Sequence, residues 1–375
     1  MFEKRTQCPV CGGELEELLK FNGLPLTELF EPWSEEFLEA RGHQDQSFMF
    51  CERCSHGTLG YVIPAKKLYG DGYRTTTSKS EGASLIVRRF RDFIASACNV
   101  QDFATVIDIG ANDGTLLDLF PRLHRVAIDP NASGAHVRIK EYFEDADLSG
   151  FKSKKIIVCS NTLEHIEDSH SVFSKLAKIM STEDVAFFQF PCLDLLVEDY
   201  RFDQIHHQHV HYFSYQSIRA LLAQHGFIGF RYNFDATHYG MLMVAFRKGM
   251  QEQEVPAPIS AYEIVRAYSV FKENCYSTSL RLHRSRAVGY GAALTLPLLA
   301  WHIPALHSIS ALWDEDVTKH GLRYVNFNKR IEPLGKVKNG TFVVTAVNSK
   351  IAGRQIVTKL FEAGARDVIV PLAAL

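Results

Sequence analysis

The sequence has no excess of charge of either sign and no cluster of basic residues. Its 375 residues include 41 Lys and Arg against 43 Asp and Glu, which gives a formal net charge of −2 at pH 7. Binding along a nucleic-acid backbone depends on many basic side chains that displace counterions from the phosphates. We therefore expect no nucleic-acid partner.

Long uninterrupted apolar runs are also missing. The first twenty residues are mixed and polar, without the apolar segment of a secretory signal, so we expect a cytoplasmic protein. The most apolar long stretch, residues 291–313, is broken by two prolines and two histidines, Pro297, His302, Pro304 and His307. We expect this stretch to form a buried helix and strand rather than a membrane span, and we expect no membrane partner.

Short repeats and low-complexity tracts are absent too. The composition is 46% hydrophobic and 22% charged, with 24 Gly and 13 Pro, which excludes a disordered, collagen-like or coiled-coil chain. A chain of this length exceeds what one hydrophobic core usually organises. The polar, proline-bearing stretch 251–258 has the composition of a linker. We predict three domains, 1–70, 71–250 and 251–375.

The eight cysteines fall into two groups. Four of them form two C-x2-C pairs separated by thirty-nine residues: Cys8, Cys11, Cys51 and Cys54. Each pair can present two thiolates to one tetrahedral ion, so the spacing predicts a structural zinc site with no open position for substrate; unliganded surface cysteines are the alternative. The residues between the pairs contain turn signals and are able to loop out. The isolated cysteines lie in or beside apolar segments, where a thiol acts as a small hydrophobic group.

From residue 104 onwards, strand-like runs alternate with helical patterns. Four runs of β-branched and apolar residues predict a parallel sheet covered on both faces: Thr105–Ile109, Arg125–Asp129, Lys155–Cys159 and Val185–Phe190. A helical pattern over Ala83–Ile94 precedes them. After the sheet we expect a helix capped by Ser214 and ended by Gly226, followed by an antiparallel hairpin of residues 227–234 and 241–247 at the sheet edge.

A second, smaller α/β unit is predicted after residue 260. Its expected elements are a helix to about Arg284, a strand and glycine turn at Arg286–Gly291, a strand at Thr341–Thr345, a helix ending at Gly364 and a last strand at Asp367–Val370. The predicted fold class of the whole chain is therefore α/β.

A glycine-containing turn follows the first predicted strand. Its candidate ligand-binding residues are Asp108, Gly110, Asn112 and Gly114, and a helix-like run, Thr115–Leu119, comes next. Glycine lets the backbone approach a ligand at the carboxyl end of a strand, and Asp129, after the next strand, can accept hydrogen bonds from ribose hydroxyls. The pattern lacks a full G-x-G-x-x-G and is the usual arrangement for S-adenosylmethionine. A purely structural turn with a surface aspartate is the alternative.

Polar residues also follow the two later strands. Asn161 can touch the methionine part of that cofactor, whereas His165 is either a site residue or a locally packed one.

Four histidines lie within six positions after the fourth strand, His206, His207, His209 and His211, and we take this segment as the candidate catalytic loop. In an extended loop the last three share a face and could ligate a second metal. Solvated histidines without a role are a further alternative.

Together these motifs resemble a family, the three-domain S-adenosylmethionine-dependent C-methyltransferases that act on nucleotide-linked keto-deoxysugars. The segments that carry the resemblance are the two C-x2-C pairs, residues 73–80, Asp108–Gly114, Asn161–His165, the histidine loop before Tyr212-Phe213-Ser214, His238–Gly240 and Gly289–Ala292. The resemblance implies an N-terminal zinc-binding module, a central class I S-adenosylmethionine methyltransferase Rossmann-like domain and a smaller Rossmann-like C-terminal domain. It also implies a nucleotide-sugar substrate.

The resemblance further implies roles in the reaction. His209 aligns with the family's proposed general base, and Tyr73, Asn161 and His165 align with its supporting residues. Where relatives read Tyr-His-Glu-His, this chain has His206-His207-Gln208-His209, and Gln208 cannot carry charge or accept a proton at neutral pH. The catalytic candidates are His209, Tyr73, His165, His206 and Gln208.

Carbon methylation requires a base that removes a proton next to a ketone and a group that stabilises the enolate oxygen. Histidine suits the first task because its pKa lies near the working pH. We therefore predict a methyltransferase with a small-molecule substrate, acting as a monomer or weak homo-oligomer. Three alternatives stay open: an O- or N-methyltransferase, an oxidoreductase with a nicotinamide cofactor at the Gly289-Tyr290-Gly291 turn near Asp314 or Asp316, and a non-catalytic binding protein.

Overall fold

The computed structural model describes residues 4–37, 41–64, 77–79, 81–134, 136–151, 154–237, 240–249, 257–346 and 350–372. The predictions for Tyr73, for most of residues 73–80 and for the His238-Tyr239 link lie outside the described residues.

The N-terminal part is organised around a four-stranded antiparallel sheet. Across it the order is β1 (Glu16–Pro25), β3 (His43–Cys51), β4 (His56–Leu59) and β10 (His211–Tyr212). β2 (Phe30–Pro32) pairs instead with β15 (Leu322–Tyr324). The residues between the two cysteine pairs thus form strands and do not simply loop out. Asn22 and Gly23 are part of an irregularity within β1 rather than a turn, since Gly23 has φ +63° and the pairing register shifts between Phe21 and Leu24.

The middle of the chain forms a seven-stranded sheet. Its strands are β5 (Thr105–Ile109), β6 (His124–Ile128), β7 (Val137–Ile139), β8 (Lys155–Ser160), β9 (Val185–Pro191), β11 (Phe227–Asp235) and β12 (Met241–Lys248). Their order is β11-β12-β9-β8-β5-β6-β7; the pairs from β7 to β9 are parallel, and β12 and β11 are added antiparallel. The four predicted parallel strands and the edge hairpin are confirmed, each to within one residue at its ends.

The described residues of this part of the chain form four α-helices: α1 (Glu81–Ala97), α2 (Ser169–Ile179), α3 (Leu193–Glu198) and α4 (Tyr215–Gln224). The helix expected over residues 115–119 is wrong, because only Leu117–Leu119 form a short 3-10 turn. Pro121 disfavours helical geometry at the residue before it, and Phe120 has φ −119° and ψ 56°. Between β6 and β8 the described residues contain β7 and no helix.

The C-terminal part is a second α/β unit, as predicted. Its elements are α5 (Ala261–His283), β13 (Ala287–Tyr290), α6 (Leu296–His302), β14 (Leu312–Trp313), β16 (Ile331–Glu332), β17 (Thr341–Val344), α7 (Lys350–Glu362) and β18 (Asp367–Ile369). They give a parallel sheet in the order β16-β14-β13-β17-β18. The apolar stretch 291–313 contains α6 and β14, as expected. Within the part of the chain that the structure describes, no helix has the length and apolarity needed to cross a membrane.

The hydrophobic cores show how these parts meet. One core contains side chains from the N-terminal sheet, such as Phe21 and Phe48, together with Phe271 and Leu299 from the C-terminal helices. Two others lie against the seven-stranded sheet. Phe202, at the start of the histidine loop, is buried in the shared core. The loop is therefore held by both terminal parts of the chain.

Candidate active site

The glycine turn after β5 lies beside the end of β6. The N–H of Gly110 donates to the carbonyl oxygen of Ile128 at 2.8 Å, and the N–H of Asn112 donates to Oδ2 of Asp129 at 3.1 Å. Oδ1 of Asp129 accepts from the N–H of Asn131 at 2.7 Å. Backbone hydrogen bonds thus fix the turn and its acid in one arrangement at the carboxyl edge of the sheet.

Close packing explains the glycines in this turn. Gly110 has φ +76°, and a Cβ there would lie 2.1 Å from Oγ1 of Thr162. Gly114 has φ +78°, and a Cβ there would lie 1.8 Å from Nε2 of His136. Left-handed backbone and this lack of space both require glycine. Sequence reasoning missed Thr162 and His136, because their contacts with the turn are made only in the folded chain.

The remaining cofactor candidates lie on either side of this turn. Asp108 is buried, and its Oδ1 has no hydrogen-bond partner among the described residues. Burial, followed by the charge of Asp129, raises the pKa of Asp108 well above its ordinary value. Asn161, at the end of β8, has φ +53° and donates its N–H to the carbonyl oxygen of Gln189 at 3.0 Å.

The position of these residues suits a nucleoside. Because β5 has β6 on one side and β8 on the other, the turns after the three strands border the crevice where open α/β sheets bind ligands. The structure thus brings all six predicted cofactor residues to one edge of the sheet. The unpartnered buried oxygen of Asp108 and the two glycines of the turn fit S-adenosylmethionine at this edge.

The histidine loop is not extended, and its histidines face different surroundings. His207 contacts the carbonyl oxygen of Leu24 through Nε2 at 3.1 Å and Gln46 through Nδ1 at 3.3 Å. His211, in β10, contacts Nε2 of His56 through Nδ1 at 3.0 Å. Both rings therefore bind the N-terminal sheet. The extended arrangement that would place His207, His209 and His211 on one face is not formed, because the turn at residues 207–208 breaks the alternation.

The other two loop histidines lie with His165. The ring centroids of His206 and His209 are 4.0 Å apart, and those of His165 and His209 are 4.9 Å apart at an angle of 69°. Nδ1 of His165 contacts the carbonyl oxygen of Gln208 at 2.8 Å. Both ring nitrogens of the buried His206 have no hydrogen-bond partner among the described residues. Three of the predicted catalytic residues are thus in one cluster.

Burial keeps these imidazoles uncharged. It lowers the pKa of His165 to about 4 and that of His206 to about 3. Burial, and then the neighbouring His206 and His165, hold the pKa of His209 well below its ordinary value. All three rings are therefore neutral at pH 7, and each has a nitrogen lone pair that is able to accept a proton.

Two acids near the cluster were missed from the sequence. Glu164 is buried beside His165. One of its carboxyl oxygens and a ring nitrogen of each of His165 and His209 all lie within 4.8 Å of one another. Glu28, from the N-terminal part, accepts a hydrogen bond from Nε2 of Gln208 at 3.2 Å. Glu164 belongs to a segment already singled out and could have been found there. Nothing in the local sequence links Glu28 to Gln208, because they are 180 residues apart.

The four paired cysteines form one cluster, with all their sulfur atoms within 4.8 Å of one another. Sγ of Cys8 is 3.6 Å from Sγ of Cys54, and Sγ of Cys11 is 3.5 Å from Sγ of Cys51. The N–H of Val10 points at Sγ of Cys8 at 3.4 Å. Four converging sulfur atoms are the ligand set of a tetrahedral zinc ion. The amide N–H of Val10 adds a hydrogen bond to one of these sulfur atoms. The predicted ligands therefore fit zinc.

The glycine turn after β13 has an acid at the end of the neighbouring strand, and that acid is Asp314. Its Oδ2 accepts from the N–H of Ala292 at 2.6 Å, and its Oδ1 accepts from the N–H of Asp316 at 2.7 Å. Lys319 donates to the carbonyl oxygen of Ala292 at 3.0 Å. The chain's own groups thus contact both oxygens of this carboxylate.

Comparison with known proteins finds similarity to methyltransferases in the middle of the chain. Residues 83–228 match the family model described as a methyltransferase domain. The C-methyltransferase NovU of Streptomyces niveus is 26% identical over 221 residues, which is 55% of this chain and 52% of that protein. The chain thus spans about half the length of the curated relative it matches.

Similar solved structures include magnesium protoporphyrin IX methyltransferase from Synechocystis PCC 6803 with bound S-adenosylmethionine (14% identity, 49% of this chain, 89% of that chain, TM-score 0.35). A protein from Pyrococcus horikoshii OT3 is another (12% identity, 46% of this chain, 94% of that chain, TM-score 0.39). The match of residues 83–228 to a methyltransferase domain and the strand order of the seven-stranded sheet support the predicted class I core.

Proposed function

We propose that this protein is an S-adenosylmethionine-dependent C-methyltransferase that acts on a nucleotide-linked keto-deoxysugar, with His209 as the general base. The observation that carries the proposal is the cluster of neutral His165, which follows β8, with His206 and His209 of the histidine loop. Similarity to a C-methyltransferase supports carbon as the methylated atom. The sugar class rests on the motifs that resemble the sugar-modifying family.

The residues that would hold the cofactor are Asp129 for the ribose hydroxyls, the Gly110–Gly114 turn for the nucleoside, and Asn161 for the methionine part. When bound, S-adenosylmethionine supplies an electrophilic methyl group, and the sulfur keeps the electron pair of the broken bond. The turn aligns this donor with the acceptor, and that alignment is the larger part of the task left to the protein.

His209 would take the proton from the carbon next to the ketone, and the electron pair left on that carbon forms the new bond to the methyl group. Burial holds the pKa of His209 well below the working pH, in contrast to the expectation from the sequence, so the ring is unprotonated at neutral pH and needs a stabilising charge once it takes the proton. His165 and Tyr73 would hold the sugar or its enolate oxygen. His206 packs against the base with its ring tilted, and Gln208 positions the loop through Glu28.

We also propose a structural zinc ion held by Cys8, Cys11, Cys51 and Cys54. The cysteines pack in the same core as Phe190 and Phe213 of the methyltransferase part. Zinc would cross-link the two C-x2-C segments and so fix β3 and β4. Since β4 pairs with β10, the metal would support the end of the histidine loop.

Replacement of the base tests the reaction. In His209→Asn we expect kcat for transfer of labelled methyl to a panel of keto-deoxysugar nucleotides to fall by roughly 10²–10⁴-fold, the usual contribution of a general base. The exposed His124→Asn is the matched control and keeps wild-type kcat. Affinity for S-adenosylmethionine, measured by calorimetry, stays unchanged in both variants. A near-normal kcat in His209→Asn removes this residue from the role.

The product separates the proposal from its alternatives. Mass and NMR analysis of the labelled product locates the methyl group, and a methyl on oxygen or nitrogen replaces C-methylation by O- or N-methylation. Calorimetry with NAD tests the oxidoreductase alternative at the turn after β13. Tight binding of S-adenosylmethionine without turnover across the panel favours a binding protein.

A further inference from the structure

Glu164 is a buried carboxyl group to which the proposed reaction gives no role. Its side chain is 1% exposed, and neither carboxyl oxygen has a hydrogen-bond partner among the described residues. A buried polar group without a partner is costly, and such groups are rare in folded proteins. A carboxyl group kept in this state is expected to gain a partner when the enzyme works.

The candidate partners are the histidines of the cluster. Oε1 of Glu164 lies 3.9 Å from Nε2 of His165. The carbonyl oxygen of Gln208 can only accept, so Nδ1 of His165 carries the hydrogen and Nε2 is the acceptor nitrogen of the neutral ring. The carbonyl oxygen of Glu164 also accepts from the N–H of Val210, which holds the loop against this segment at 2.8 Å.

Proton transfer to His209 creates a positive charge in this buried place. An imidazolium taken out of water needs a counter-charge nearby. His165 and His206 are neutral, and Gln208 has no charge to offer. Among the described residues, Glu164 has a carboxyl oxygen within 4.8 Å of a ring nitrogen of His209, whereas Glu28 contacts Gln208. Cys159 on β8 stays uncharged near neutral pH, because burial raises the pKa of its thiol well above its ordinary value.

We propose that Glu164 is a positioning residue whose carboxylate provides the counter-charge that stabilises the imidazolium formed on His209 during proton transfer. This inference rests on the proposed function. The sequence shows that Glu164 belongs to this polar segment, whereas the fold determines which side chains surround its carboxyl group.

The ionisation of the Glu164 carboxyl group should make kcat/KM depend on pH. Burial raises the pKa of Glu164 to about 8, so the group is mostly protonated at pH 7 and ionised above pH 8. Since only the ionised form supplies the counter-charge, kcat/KM should rise with pH through about 8. A positive charge within about 4–6 Å favours the ionised form and shifts this rise to lower pH in the loaded enzyme.

The test compares Glu164→Gln with Glu167→Gln in the full chain. Both changes remove one carboxylate from the same segment, but the side chain of Glu167 is 66% exposed. We expect Glu164→Gln to lose the rise in kcat/KM through pH 8 and to be roughly tenfold to hundredfold slower above it, within the range of proton-transfer effects. Glu167→Gln keeps the wild-type profile. Retention of the rise in Glu164→Gln overturns the inference, whatever the absolute rate.

Two further measurements keep the test decisive. If Glu164→Gln is inactive, Glu164→Asp, which keeps the charge, must retain the pH-dependent rise. In ¹³C-labelled protein without substrate, the carboxyl signal that Glu164→Gln removes should titrate near pH 8; a carboxyl ionised throughout pH 6–9 overturns the inference. This signal is measurable even if no keto-sugar is methylated, so failure of the proposed function is distinguishable. A requirement for added Mg²⁺ or Mn²⁺ that Glu164→Gln abolishes also overturns it, because Glu164 would then be a cation ligand.

Discussion

At the scale of single residues, the site depends on positions where the backbone conformation or its hydrogen bonds require one residue type. Gly110 lets the turn after β5 pack closely against the segment after β8, because it has no side chain to collide with Thr162. Asp129 completes the same turn by accepting two backbone N–H groups. The sequence indicates both residues by type and spacing, whereas the contact with Thr162 depends on the pairing of β5 with β8.

Substitution of Gly110 tests this role. Gly110→Ala should destabilise the protein by at least about 1–2 kcal/mol, the cost of left-handed backbone for a residue with a Cβ. It should also weaken binding of S-adenosylmethionine, because the new Cβ displaces the turn from Thr162. The control is Gly150→Ala, where a Cβ meets no atom within 4 Å. Thermal denaturation and calorimetry measure the two effects, and equal behaviour of the two variants would contradict the expectation.

At the scale of elements, the histidine loop is fixed at its end by β10 and α4. β10 adds two residues to the N-terminal sheet, and Thr58 of β4 donates its hydroxyl to the carbonyl oxygen of Val210 at 2.9 Å. α4 begins directly afterwards with a capping box, in which Oγ of Ser214 accepts from the N–H of Ser217 at 3.1 Å and Oγ of Ser217 accepts from the N–H of Ser214 at 2.8 Å. These local contacts set where the loop ends.

Removal of the cap should therefore affect both stability and activity. Ser214→Ala is expected to lower the free energy of unfolding by about 1 kcal/mol, since it leaves helix N–H groups unpaired. It should also lower kcat, because the loop loses its anchor. Ser269→Ala, an exposed position inside α5, is the control and should change stability by less than about 0.5 kcal/mol. Denaturation curves and initial rates of both variants provide the comparison.

At the scale of the whole molecule, the N-terminal and C-terminal parts share a core and enclose the histidine loop between them and the seven-stranded sheet. Phe21 of β1 packs on His302 of α6, with ring centroids 6.5 Å apart, and His302 packs on Phe271 of α5 at 4.7 Å. β2 and β15 add a second contact between the two ends of the chain. Stability of the terminal parts is thus coupled to the geometry of the loop.

Loss of zinc should show this coupling. We expect one zinc ion per chain by elemental analysis, and Cys54→Ser should reduce the zinc content, lower the melting temperature and decrease kcat. Affinity for S-adenosylmethionine should change less, because the cofactor turn belongs to the seven-stranded sheet. Cys98→Ser removes an isolated cysteine and should match the wild type. Full zinc content in Cys54→Ser would remove this residue from the ligand set.

The shared core also predicts a dependence of stability on pH. Burial lowers the pKa of His302 to about 3, and its two ring nitrogens have no partner among the described residues. Below pH 6.5 the unfolded chain binds a proton that the folded ring does not, so stability falls as the pH falls. Between pH 6.5 and 5 the loss is about 2 kcal/mol for such a residue. His302→Leu should remove this part of the pH dependence in urea denaturation, whereas His124→Leu should retain it.

Local sequence determined much of this protein. The β-branched runs gave the strands, Ser214 and Gly226 bounded a helix, and the spacing of the cysteines and of the glycine turn indicated their sites. These features depend on residues close together in the chain, whose side-chain period, capping and backbone freedom act without help from distant segments.

Tertiary structure alone decided how the candidate catalytic groups meet. Histidines 207 and 211 looked equivalent to histidines 206 and 209 in the sequence, but β10 joins the N-terminal sheet and turns the first two away from the cluster. The same packing buries Glu164 beside His165. Pairing between strands about 150 residues apart is driven by burial of side chains from both, so no local pattern could have specified which of these polar groups would lose water together.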